Sequence, residues 1–307
     1  MGTNYPAPSV LVSLVTHNSG DNICTVINSI LGQTYKYINL IVSDNGSTDN
    51  TTLLIKETFP NIKIVQNKNI GYGPAHNNII KNASEDFLLV LNDDCKLDQN
   101  YVSECIAHVR QKPKTAALTG IIYKVSNFNE TTRKRALDFY QITRYRKTKP
   151  IIKKLNLKKT TLLGVTGTAA FFSLKILKTL PLEYFDNDFF MYYEDVDLCW
   201  RLNKLRHPVE FTEKAIAYHL VSYSFKTRTR LPLNLRKLVY QNRYFSIIKN
   251  EKLPDLIYNL PFLFVYELIQ FFYLCVFDFK GLIIYPEVLK NFYHFYKKRK
   301  LLATYDA

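Results

Sequence analysis

The sequence predicts an α/β protein with a mostly parallel central sheet and a helical C-terminal extension. Short apolar runs rich in β-branched residues alternate with segments of helical periodicity, which is typical of a parallel sheet covered by helices. Polar residues follow several of these runs directly. From Leu233 onward the chain becomes basic, aromatic and helical in pattern. We therefore expect an α/β domain over residues 1–230 and a helical region over residues 231–307.

The first four strands are predicted from uninterrupted apolar runs, each followed by a turn or the start of a helix. They cover residues 10–16, 38–43, 62–66 and 87–91. Helices are predicted over residues 21–31, from Thr48 or Asp49 to just before Pro60, after Pro74 to near Lys81, from near Asp98, and over 194–205. Because these strands are apolar at successive positions, we expect both faces of the sheet to be buried.

The polar residues that follow the strands are expected to meet at one edge of the sheet. His17 and Asn18 follow the first strand, Asp44 and Asn45 the second, and residues 92–94 the fourth. Open α/β sheets bind ligands at the carboxyl ends of their strands. The sequence therefore predicts one ligand-binding crevice, built from segments that lie far apart in the chain.

The composition indicates an anionic partner and a reducing compartment. The 307 residues carry 41 Lys and Arg against 26 Asp and Glu, a net charge of +15 that suits nucleic acid, anionic lipid or a phosphorylated substrate. Eleven of the basic residues lie within 133–159, where we expect a mobile, solvated loop. The five cysteines are odd in number, widely scattered and without a CxxC pair, so neither a zinc ribbon nor a disulfide framework is indicated. The first residues show no signal-peptide pattern.

The segment Asn92-Asp93-Asp94 offers oxygen ligands at the end of a predicted strand. Carboxylates in this position suit a divalent cation that also binds substrate phosphates and neutralises a leaving diphosphate. Asp is equally common in turns that cap a following helix. Taken alone, the segment supports a metal site and a capping turn about equally.

Two further loops are candidates for nucleotide binding. In residues 44–49, the Asp44 carboxylate is suited to accept a hydrogen bond from the imide N–H of uracil or thymine, although the segment also forms a strand-to-helix turn. In residues 69–77, Gly71 and Gly73 allow close backbone approach to a nucleotide, while Pro74 equally suits the first turn of a helix. Each loop alone is a weak signal.

The segment 191–201 places three carboxylates at the start of a predicted helix, where the helix dipole favours them. Asp197 lies four residues before Arg201 and suits an ion pair with it. Glu194 and Asp195 project elsewhere, and a carboxylate that faces the crevice can deprotonate an acceptor hydroxyl. Taken alone, the segment favours helix capping over catalysis.

His219 ends an apolar, strand-like run, and three cationic residues follow it at Lys226, Arg228 and Arg230. A neutral imidazole can complete a metal shell, and cationic side chains can hold a diphosphate. A single histidine in an apolar run is more often a core residue with a hydrogen-bond partner. Taken alone, the pattern favours that interpretation.

Together these segments resemble glycosyltransferase family 2, the inverting enzymes with the GT-A fold, and most closely its bacterial rhamnosyltransferase branch. The matching segments occur in the family's order at residues 12–19 (VSLVTHNS), 42–49 (VSDNGSTD), 69–73 (NIGYG), 91–94 (LNDD) and 193–197 (YEDVD). The resemblance extends over residues 8–245. One such motif is a weak signal, whereas five in order are specific.

The resemblance implies a role for each matching residue. A nucleoside-diphosphate sugar carrying UDP or dTDP would be bound by Thr16, His17, Asn18, Asp44, Gly71, Tyr72, Asn77, Asn92 and Asp93. In that set, Thr16, Asn18 and Asp44 would hold the nucleobase and ribose. Asp94 and His219 would bind Mg²⁺ or Mn²⁺ with the diphosphate. Asp195 would be the general base, and the acceptor side would include Gly167, Thr168 and Glu194.

The resemblance also implies the reaction, a single displacement that inverts the anomeric carbon of the sugar. We expect rhamnose from dTDP-rhamnose, with UDP-galactofuranose, UDP-GlcNAc and UDP-glucose as alternatives. The expected acceptor is a hydroxyl of a glycan or a polyprenyl-diphosphate-linked sugar in cell-surface polysaccharide synthesis. The chain departs from the family pattern at three positions. Asn92 begins the usual Asp-x-Asp, Asp93 replaces the Pro common in the rhamnosyltransferase branch, and His17 stands where Tyr is common.

Three other interpretations compete with this one. A sugar nucleotidyltransferase needs a glycine-rich basic loop after the first strand, which residues 16–21 lack. A non-enzymatic nucleic-acid- or membrane-binding protein suits the charge, but the basic residues avoid the first half and no nucleic-acid motif appears, so we expect no nucleic-acid partner. An inactive family member remains open because Asn92 is atypical.

The C-terminal region is expected to contact a membrane. Residues 256–277 hold a single charge, Glu267, and approach the length of a membrane span. A charge in the middle of a bilayer costs about 2.5 kcal/mol or more. Residues 292–300 mix aromatic and basic side chains, which suits an anionic lipid interface. We favour peripheral contact with the cytoplasmic face of the cell membrane over helix packing, a homodimer contact or a true span.

Overall fold

The computed structural model describes residues 6–129, 141–143, 146–148, 164–220 and 231–305. Its strands are β1 (Val10–Thr16), β2 (Ile38–Asp44), β3 (Lys63–Gln66), β4 (Phe87–Asn92), β5 (Cys95–Leu97), β6 (Ala117–Val125), β7 (Gln141–Thr143), β8 (Arg146–Thr148), β9 (Ala169–Ser173) and β10 (Val209–Leu220). Its helices are α1 (Ile23–Leu31), α2 (Thr51–Thr58), α3 (Tyr72–Ile80), α4 (Tyr101–Gln111), α5 (Leu174–Leu177), α6 (Glu194–Lys204), α7 (Leu233–Asn250), α8 (Leu253–Phe277) and α9 (Ile284–Ala303).

The centre of the molecule is an eight-stranded sheet in the order β3-β2-β1-β4-β9-β6-β10-β5. Strands β3, β2, β1 and β4 are parallel, as are β6 and β10. Strand β9 is antiparallel to both of its neighbours, and β5 is antiparallel to β10. The predicted α/β class with a mostly parallel sheet is therefore confirmed.

Alternate side chains of β1 enter two separate cores. Val10, Val12 and Leu14 pack with α1 and α4 on one face of the sheet. Leu11 packs with residues of α3, α5 and α6 on the other face. Because successive residues of a strand point to opposite faces, a run that is apolar at nearly every position requires cover on both sides. This explains the continuous apolar runs in the sequence.

Strands β5, β6 and β9 are among those that the sequence did not predict, and one helix begins later than predicted. Strand β5 has three residues and follows the Asp94 turn directly, so its pattern is too short to detect. Strand β9 is an antiparallel insertion among parallel neighbours. Helix α2 begins at Thr51 instead of Thr48 or Asp49, because the Asp49 carboxylate accepts a hydrogen bond from the Thr51 backbone N–H (3.0 Å). Most of the basic stretch 133–159 lies outside the described residues, although β7 and β8 pair within it.

The chain beyond Leu233 is helical, as predicted. Helix α7 packs against α6 and α9, and the rings of Phe245 and Phe295 stack with their centroids 4.1 Å apart. Helix α8 turns its Glu267 toward α7 and leaves most of its apolar side chains exposed. Residues 221–230, where we placed the boundary, are outside the described part of the chain, and the division into two domains stays a prediction.

Candidate active site

The register of the parallel strands brings the predicted polar residues to one edge of the sheet. Thr16 of β1 lies opposite Asp44 of β2, and Val15 lies opposite Asn92 of β4. The three strands therefore end side by side, and the loops that follow them share one crevice. This is the place where open α/β sheets bind ligands.

Asp44 is buried at the end of β2 and holds the following turn. Its Oδ1 accepts a hydrogen bond from the Ser47 backbone N–H (3.1 Å), and its Oδ2 accepts one from the Thr52 hydroxyl (2.9 Å). A carboxylate has about four acceptor positions, so each oxygen can accept a further hydrogen bond. The turn interpretation and the binding interpretation of Asp44 are thus compatible.

Asn18 and His17 shape the loop after β1. Asn18 has a left-handed backbone (φ 54°), and its Oδ1 accepts hydrogen bonds from the backbone N–H groups of Thr48 (2.7 Å) and Asp49 (3.3 Å). The His17 side chain is exposed, with its Nδ1 3.1 Å from the Asn45 carbonyl. The Asn18 side chain therefore ties the loops after β1 and β2 together.

The glycine loop is close to the β2 turn because Asn45 joins them. Asn45 Oδ1 accepts a hydrogen bond from the Ile70 backbone N–H (3.1 Å), and its Nδ2 donates to the Gly71 carbonyl (3.3 Å). Gly71 has φ 97°, and an added Cβ would lie 2.4 Å from the Phe190 carbonyl oxygen. The close approach that requires glycine here is to the protein backbone, where the sequence had suggested a nucleotide.

Tyr72 connects the end of β4 to the loop that contains Gly167. Its hydroxyl donates a hydrogen bond to Asn92 Oδ1 (2.7 Å) and lies 2.8 Å from the Gly167 carbonyl. Burial raises the pKa of Tyr72 well above its usual value, and the negative charges of Glu194 and Asp195 raise it further. Tyr72 therefore stays protonated and serves as a hydrogen-bond donor among carboxylates.

Asp93 and Asp94 have different surroundings. Asp93 Oδ2 accepts hydrogen bonds from the His17 backbone N–H (2.9 Å) and from the Ser19 hydroxyl. Burial raises the pKa of Asp93, while these two hydrogen bonds oppose that rise. Asp94 Oδ1 lies 3.1 Å from His219 Nε2 and accepts no hydrogen bond from the described residues. Asp93 thus supports the loop after β1, and Asp94 faces an imidazole nitrogen.

Asp94 and His219 fit a divalent cation in position and in chemistry. Strands β5 and β10 pair Cys95 with His219, so the residue before Cys95 lies next to the imidazole. A carboxylate oxygen and an imidazole nitrogen are both ligands of Mn²⁺, and Mg²⁺ favours the oxygen. Among the described residues, no group of three His, Cys, Asp or Glu side chains is placed to hold a metal ion by itself. Diphosphate oxygens and water would have to supply the remaining ligands.

Asp195 lies in the first turn of α6 and is tied to the acceptor-side loop. Its Oδ2 accepts a hydrogen bond from the Gly167 backbone N–H (2.9 Å), and its Oδ1 accepts one from the Val196 backbone N–H (2.8 Å). Thr168 lies beside this contact, and its backbone carbonyl accepts a hydrogen bond from the Asn92 N–H (3.1 Å). The predicted acceptor-side residues are therefore adjacent to the predicted donor edge.

Asn77 is the predicted binding residue whose surroundings differ most from expectation. Its Nδ2 donates to the Phe185 carbonyl (2.6 Å) and to Asn187 Oδ1 (2.9 Å), and its Oδ1 accepts from the Phe185 N–H (3.0 Å). Both ends of the amide hold the segment before α6, which indicates a positioning role. The cationic residues Lys226, Arg228 and Arg230 lie outside the described residues.

Sequence reasoning missed several residues that support the site. Ser19 binds Asp93, and the buried His76 has its Nδ1 2.7 Å from the Ser13 hydroxyl. Lys249, from the C-terminal helices, contacts Asp197 of α6 (2.8 Å). Ser19 ends the first family-like segment and was open to detection there. His76 lies in the candidate loop 69–77 but was not singled out, Lys249 belongs to no motif, and no pattern in the sequence indicates their partners.

The chain is similar to proteins of known family and known structure. The family model for glycosyl transferase family 2 matches residues 11–180, more than half of the chain. The poly-β-1,6-N-acetyl-D-glucosamine synthase of Staphylococcus aureus is 26% identical over 250 residues, which cover 78% of this chain and 58% of the synthase. The Staphylococcus epidermidis enzyme of that name is 25% identical over 247 residues, covering 78% of this chain and 57% of the enzyme.

Solved structures show the same fold. The crystal structure of S. aureus TarS 1–349 in complex with UDP has a TM-score of 0.54 and 17% identity, covering 80% of this chain and 67% of TarS 1–349. The complex of TarS 1–349 with UDP-GlcNAc has a TM-score of 0.54 and 18% identity. The match covers 80% of this chain and 68% of TarS 1–349. At this identity the likeness establishes the fold alone, and it confirms the expected GT-A type.

The chain belongs to glycosyltransferase family 2 and is a glycosyltransferase. The match to the family model begins in β1 and ends after α5, so it includes β2, β4 and the Asn92-Asp93-Asp94 segment. The chain spans less than two thirds of the length of the synthases that it matches.

Proposed function

We propose that this enzyme is an inverting transferase that moves N-acetylglucosamine from UDP-GlcNAc to a hydroxyl of a glycan or a polyprenyl-diphosphate-linked acceptor. Two relatives are named as poly-β-1,6-N-acetyl-D-glucosamine synthases, and the related TarS structure contains UDP-GlcNAc. These comparisons favour UDP-GlcNAc, one of our alternatives, and lend no support to rhamnose from dTDP-rhamnose. Synthesis of a cell-surface polysaccharide is the corresponding process.

The observation that carries the proposal is the hydrogen-bonded path between the donor edge and the candidate base. Asn92 at the end of β4 accepts from Tyr72, Tyr72 contacts the Gly167 carbonyl, and the Gly167 N–H donates to Asp195. A transferase needs its base beside the carbon that the diphosphate leaves, and this path makes the two halves of the crevice neighbours.

On the donor side, the nucleotide would occupy the loops after β1 and β2. Asp44 retains acceptor positions for the imide N–H of uracil. Thr16 lies opposite it in the sheet, and Asn18 holds the loop over that edge. The exposed His17 and the backbone of Gly71 border the same space.

Asp94 and His219 would hold Mg²⁺ or Mn²⁺ at the diphosphate, beside Asn92 and Asp93. When bound, such an ion neutralises the charge that develops on the leaving diphosphate. The 3.1 Å approach of Asp94 Oδ1 to His219 Nε2, without a hydrogen bond to that oxygen, supports this assignment.

On the acceptor side, Asp195 would remove the proton of the attacking hydroxyl. The oxygen forms a bond to the anomeric carbon as the bond from that carbon to the diphosphate oxygen breaks, so the configuration inverts. UDP leaves with both electrons of the broken bond, and Asp195 passes the proton to solvent. Glu194, Gly167 and Thr168 would border the acceptor.

A membrane surface is the proposed place of action. Helix α8 is long and apolar enough to cross a membrane by length and composition, and 11% of its most apolar window is buried. The exposed Lys297 and Lys300 of α9 complement anionic lipid headgroups. A lipid-linked acceptor is confined to such a surface, so peripheral attachment on its cytoplasmic face would bring enzyme and acceptor together.

The test is a thermal-shift panel of UDP, dTDP, GDP and CDP with and without Mn²⁺, followed by transfer assays with UDP-GlcNAc and dTDP-rhamnose. A ligand at a hundredfold excess over its Kd stabilises the native state by about 2.7 kcal/mol. We expect a Mn²⁺-dependent shift with UDP that Asp94→Asn loses, and transfer from UDP-GlcNAc. A shift with dTDP alone, or transfer of rhamnose, would contradict the proposed donor.

A further inference from the structure

One face of α7 carries a stripe of buried polar side chains. Asn242, Ser246, Lys249 and Asn250 are spaced at i, i+4, i+7 and i+8, so they lie on one side of the helix. Each has at most 1% of its surface exposed. The face of a helix that packs against its own protein is usually apolar. A polar stripe in this position indicates specific partners on the opposite side.

The C-terminal half of this stripe meets carboxylates that flank the candidate base. Lys249 Nζ donates to Asp186 Oδ2 (2.6 Å) and to Asp197 Oδ2 (2.8 Å). Asn250 Nδ2 donates to Asp197 Oδ1 (2.8 Å), and Arg201 Nε donates to Asp197 Oδ2 (3.0 Å). Asp197 lies two residues after Asp195 on the same helix. Lys249 therefore joins the start of α6 to the segment that precedes it.

The N-terminal half of the stripe holds the backbone of that segment. Asn242 Nδ2 lies 2.9 Å from each of three carbonyl oxygens, those of Phe189, Met191 and Tyr192. The segment contains the left-handed residues Phe190 (φ 57°), Tyr192 (φ 67°) and Tyr193 (φ 72°). Non-glycine residues persist in this conformation only when their surroundings impose it.

The same segment also touches the donor side. The Phe190 carbonyl accepts a hydrogen bond from the Tyr72 backbone N–H (2.6 Å) at the start of α3. Residues 186–193 are thus held from one side by α7 and from the other by the glycine loop. Asp195 begins the helix that follows directly, so its place in the crevice depends on the path of this segment.

We propose that Asn242 and Lys249 of α7 are positioning residues that set the path of residues 186–193 and thereby hold Asp195 at the acceptor. The inference rests on the role proposed above for Asp195. A buried ion pair is often no more stabilising than apolar side chains of similar volume. The contribution of the stripe is therefore the geometry it imposes, and the C-terminal helices are part of the catalytic unit.

The test compares Asn242→Ala, Lys249→Met and Lys249→Arg with the control Arg243→Met. Arg243 is also a largely buried cation of α7, but it pairs with Glu267 of α8 (2.5 Å), away from residues 186–193. All proteins are assayed as full chains in detergent with UDP-GlcNAc and a soluble acceptor. Hydrogen exchange of residues 186–197 is measured in parallel, as is the emission of Trp200, the single tryptophan, on α6.

We expect Asn242→Ala and Lys249→Met to lower kcat about 100-fold, the size of effect that a misplacement of about 1 Å produces. The affinity for UDP should stay within about threefold, since the loops after β1 and β2 are held by contacts of their own. Lys249→Arg should recover part of kcat. Exchange at residues 186–193 should accelerate in Asn242→Ala and not in Arg243→Met, and the Trp200 emission should shift with it.

Each outcome decides the inference. If Lys249→Met fails to fold, the neutral change Asn242→Ala carries the test. Unchanged exchange and kcat in Asn242→Ala, or an equal loss in Arg243→Met, would overturn the positioning role. Faster exchange at 186–193 in Asn242→Ala, in a wild type that transfers no sugar, would support the positioning role and refute the proposed function.

Discussion

Two carboxylates of α6, two residues apart, have opposite surroundings. Asp197 is fully buried between the cations of Arg201 and Lys249. Asp195 accepts two hydrogen bonds from neutral backbone N–H groups and has no ion pair within the described ranges. A carboxylate held between two buried cations is committed to those partners, because breaking a buried ion pair is strongly destabilising. The local contacts therefore separate a candidate base from a structural charge.

Replacing each carboxylate by its amide should give different results. Asp195→Asn should lower kcat by about a thousandfold, within the usual range for a general base, and leave UDP affinity nearly unchanged. Asp197→Asn should reduce the free energy of unfolding by about 3–5 kcal/mol, because Lys249 loses a buried partner. Steady-state kinetics and urea unfolding measure the two effects. Loss of UDP binding in a folded Asp195→Asn protein would contradict its assignment as a base.

His76 should make the fold sensitive to mild acid. Burial lowers the pKa of His76 to about 3, whereas an unfolded histidine titrates near 6.5. Between these values the unfolded chain binds a proton that the folded chain does not, so stability falls as pH falls. The expected loss between pH 7 and pH 5 is about 2 kcal/mol.

The variant His76→Asn isolates the contribution of His76 to the loss of stability in acid. Its side chain is neutral in both the folded and the unfolded chain. The wild type should lose more unfolding free energy than the variant between pH 7 and pH 5, and the difference should vanish above pH 7. Urea unfolding at several pH values measures it. An equal acid sensitivity in both proteins would show that other groups cause it.

At the scale of single residues, the spacing of the sequence motifs predicted which residues lie at the strand ends. It did not predict most of the hydrogen-bond partners of those residues. Asp44, Asn92 and Asp94 lie at the crevice because parallel strands end together, which the strand pattern already implies. The contact of Asn77 with Phe185 was not predicted, because the two residues are 108 positions apart. A contact of that separation leaves no local pattern. The partners of Lys249 were also unpredictable, since a buried lysine and a surface lysine look alike in sequence.

At the scale of elements, the first four strands were predicted, whereas the later strands β5, β6 and β9 were not. The parallel strands β1 to β4 have the expected places because each carries a complete local signal. Strand β9 depends on pairing with β4 and β6, and β5 on pairing with β10. These two strands nevertheless position the site, since β9 follows Gly167 and Thr168 and β5 follows Asp94.

The contact between α3 and the segment before α6 predicts a strong effect of Gly71→Ala. The left-handed backbone and the Phe190 carbonyl, 2.4 Å from an added Cβ, both oppose a side chain. The free energy of unfolding should fall by about 1–3 kcal/mol, and kcat should fall with it, because the path of residues 186–193 is disturbed.

Gly164→Ala is the matched control, since its added Cβ would meet Cys199 Cβ at an ordinary 3.4 Å. It should change stability by no more than about 1 kcal/mol. Urea unfolding of the two variants beside the wild type provides the comparison. A Gly71→Ala protein as stable and active as the wild type would show that the loop adjusts without cost.

At the scale of the whole molecule, charge and apolar surface lie together at the C-terminal end. Two polar side chains of α8 have their partners on α7. Glu267 accepts hydrogen bonds from Arg243 and Tyr244, and Gln270 donates one to Tyr244 (2.9 Å). The rest of the helix is apolar and largely exposed, in particular at Tyr258, Phe262, Val265, Ile269, Phe272 and Val276. Exposed apolar surface of this extent marks a contact with a protein or a membrane.

The pairing of Glu267 changes the interpretation of this helix. The sequence alone suggested a charge in the middle of a membrane segment, which argued against a span. In the structure that charge faces α7, and the outward side of α8 is free of charge between Leu256 and Phe277. The exposed Lys297 and Lys300 of α9 add positive charge nearby in sequence. An anionic bilayer complements both features at once.

We therefore expect the protein to float with vesicles that contain phosphatidylglycerol. Ile269→Asp combined with Phe272→Asp should weaken this binding at least about 100-fold, because each buried apolar side chain contributes about 1.5–3 kcal/mol. Leu31→Asp, an equally exposed apolar position on α1, should leave vesicle binding unchanged. Added salt should weaken binding without abolishing it, since salt screens the basic residues and spares apolar insertion. UDP affinity should be the same in all variants.

A homodimer contact or a membrane span through α8 would give different results. If α8 mediates a homodimer, the wild type should be dimeric in solution, fail to float, and become monomeric in the double variant. If α8 spans the bilayer, the protein made in cells should resist extraction from membranes by alkaline carbonate, which releases peripheral proteins. Flotation together with carbonate release is the combination that peripheral attachment requires, because interfacial burial is reversible and a span is not.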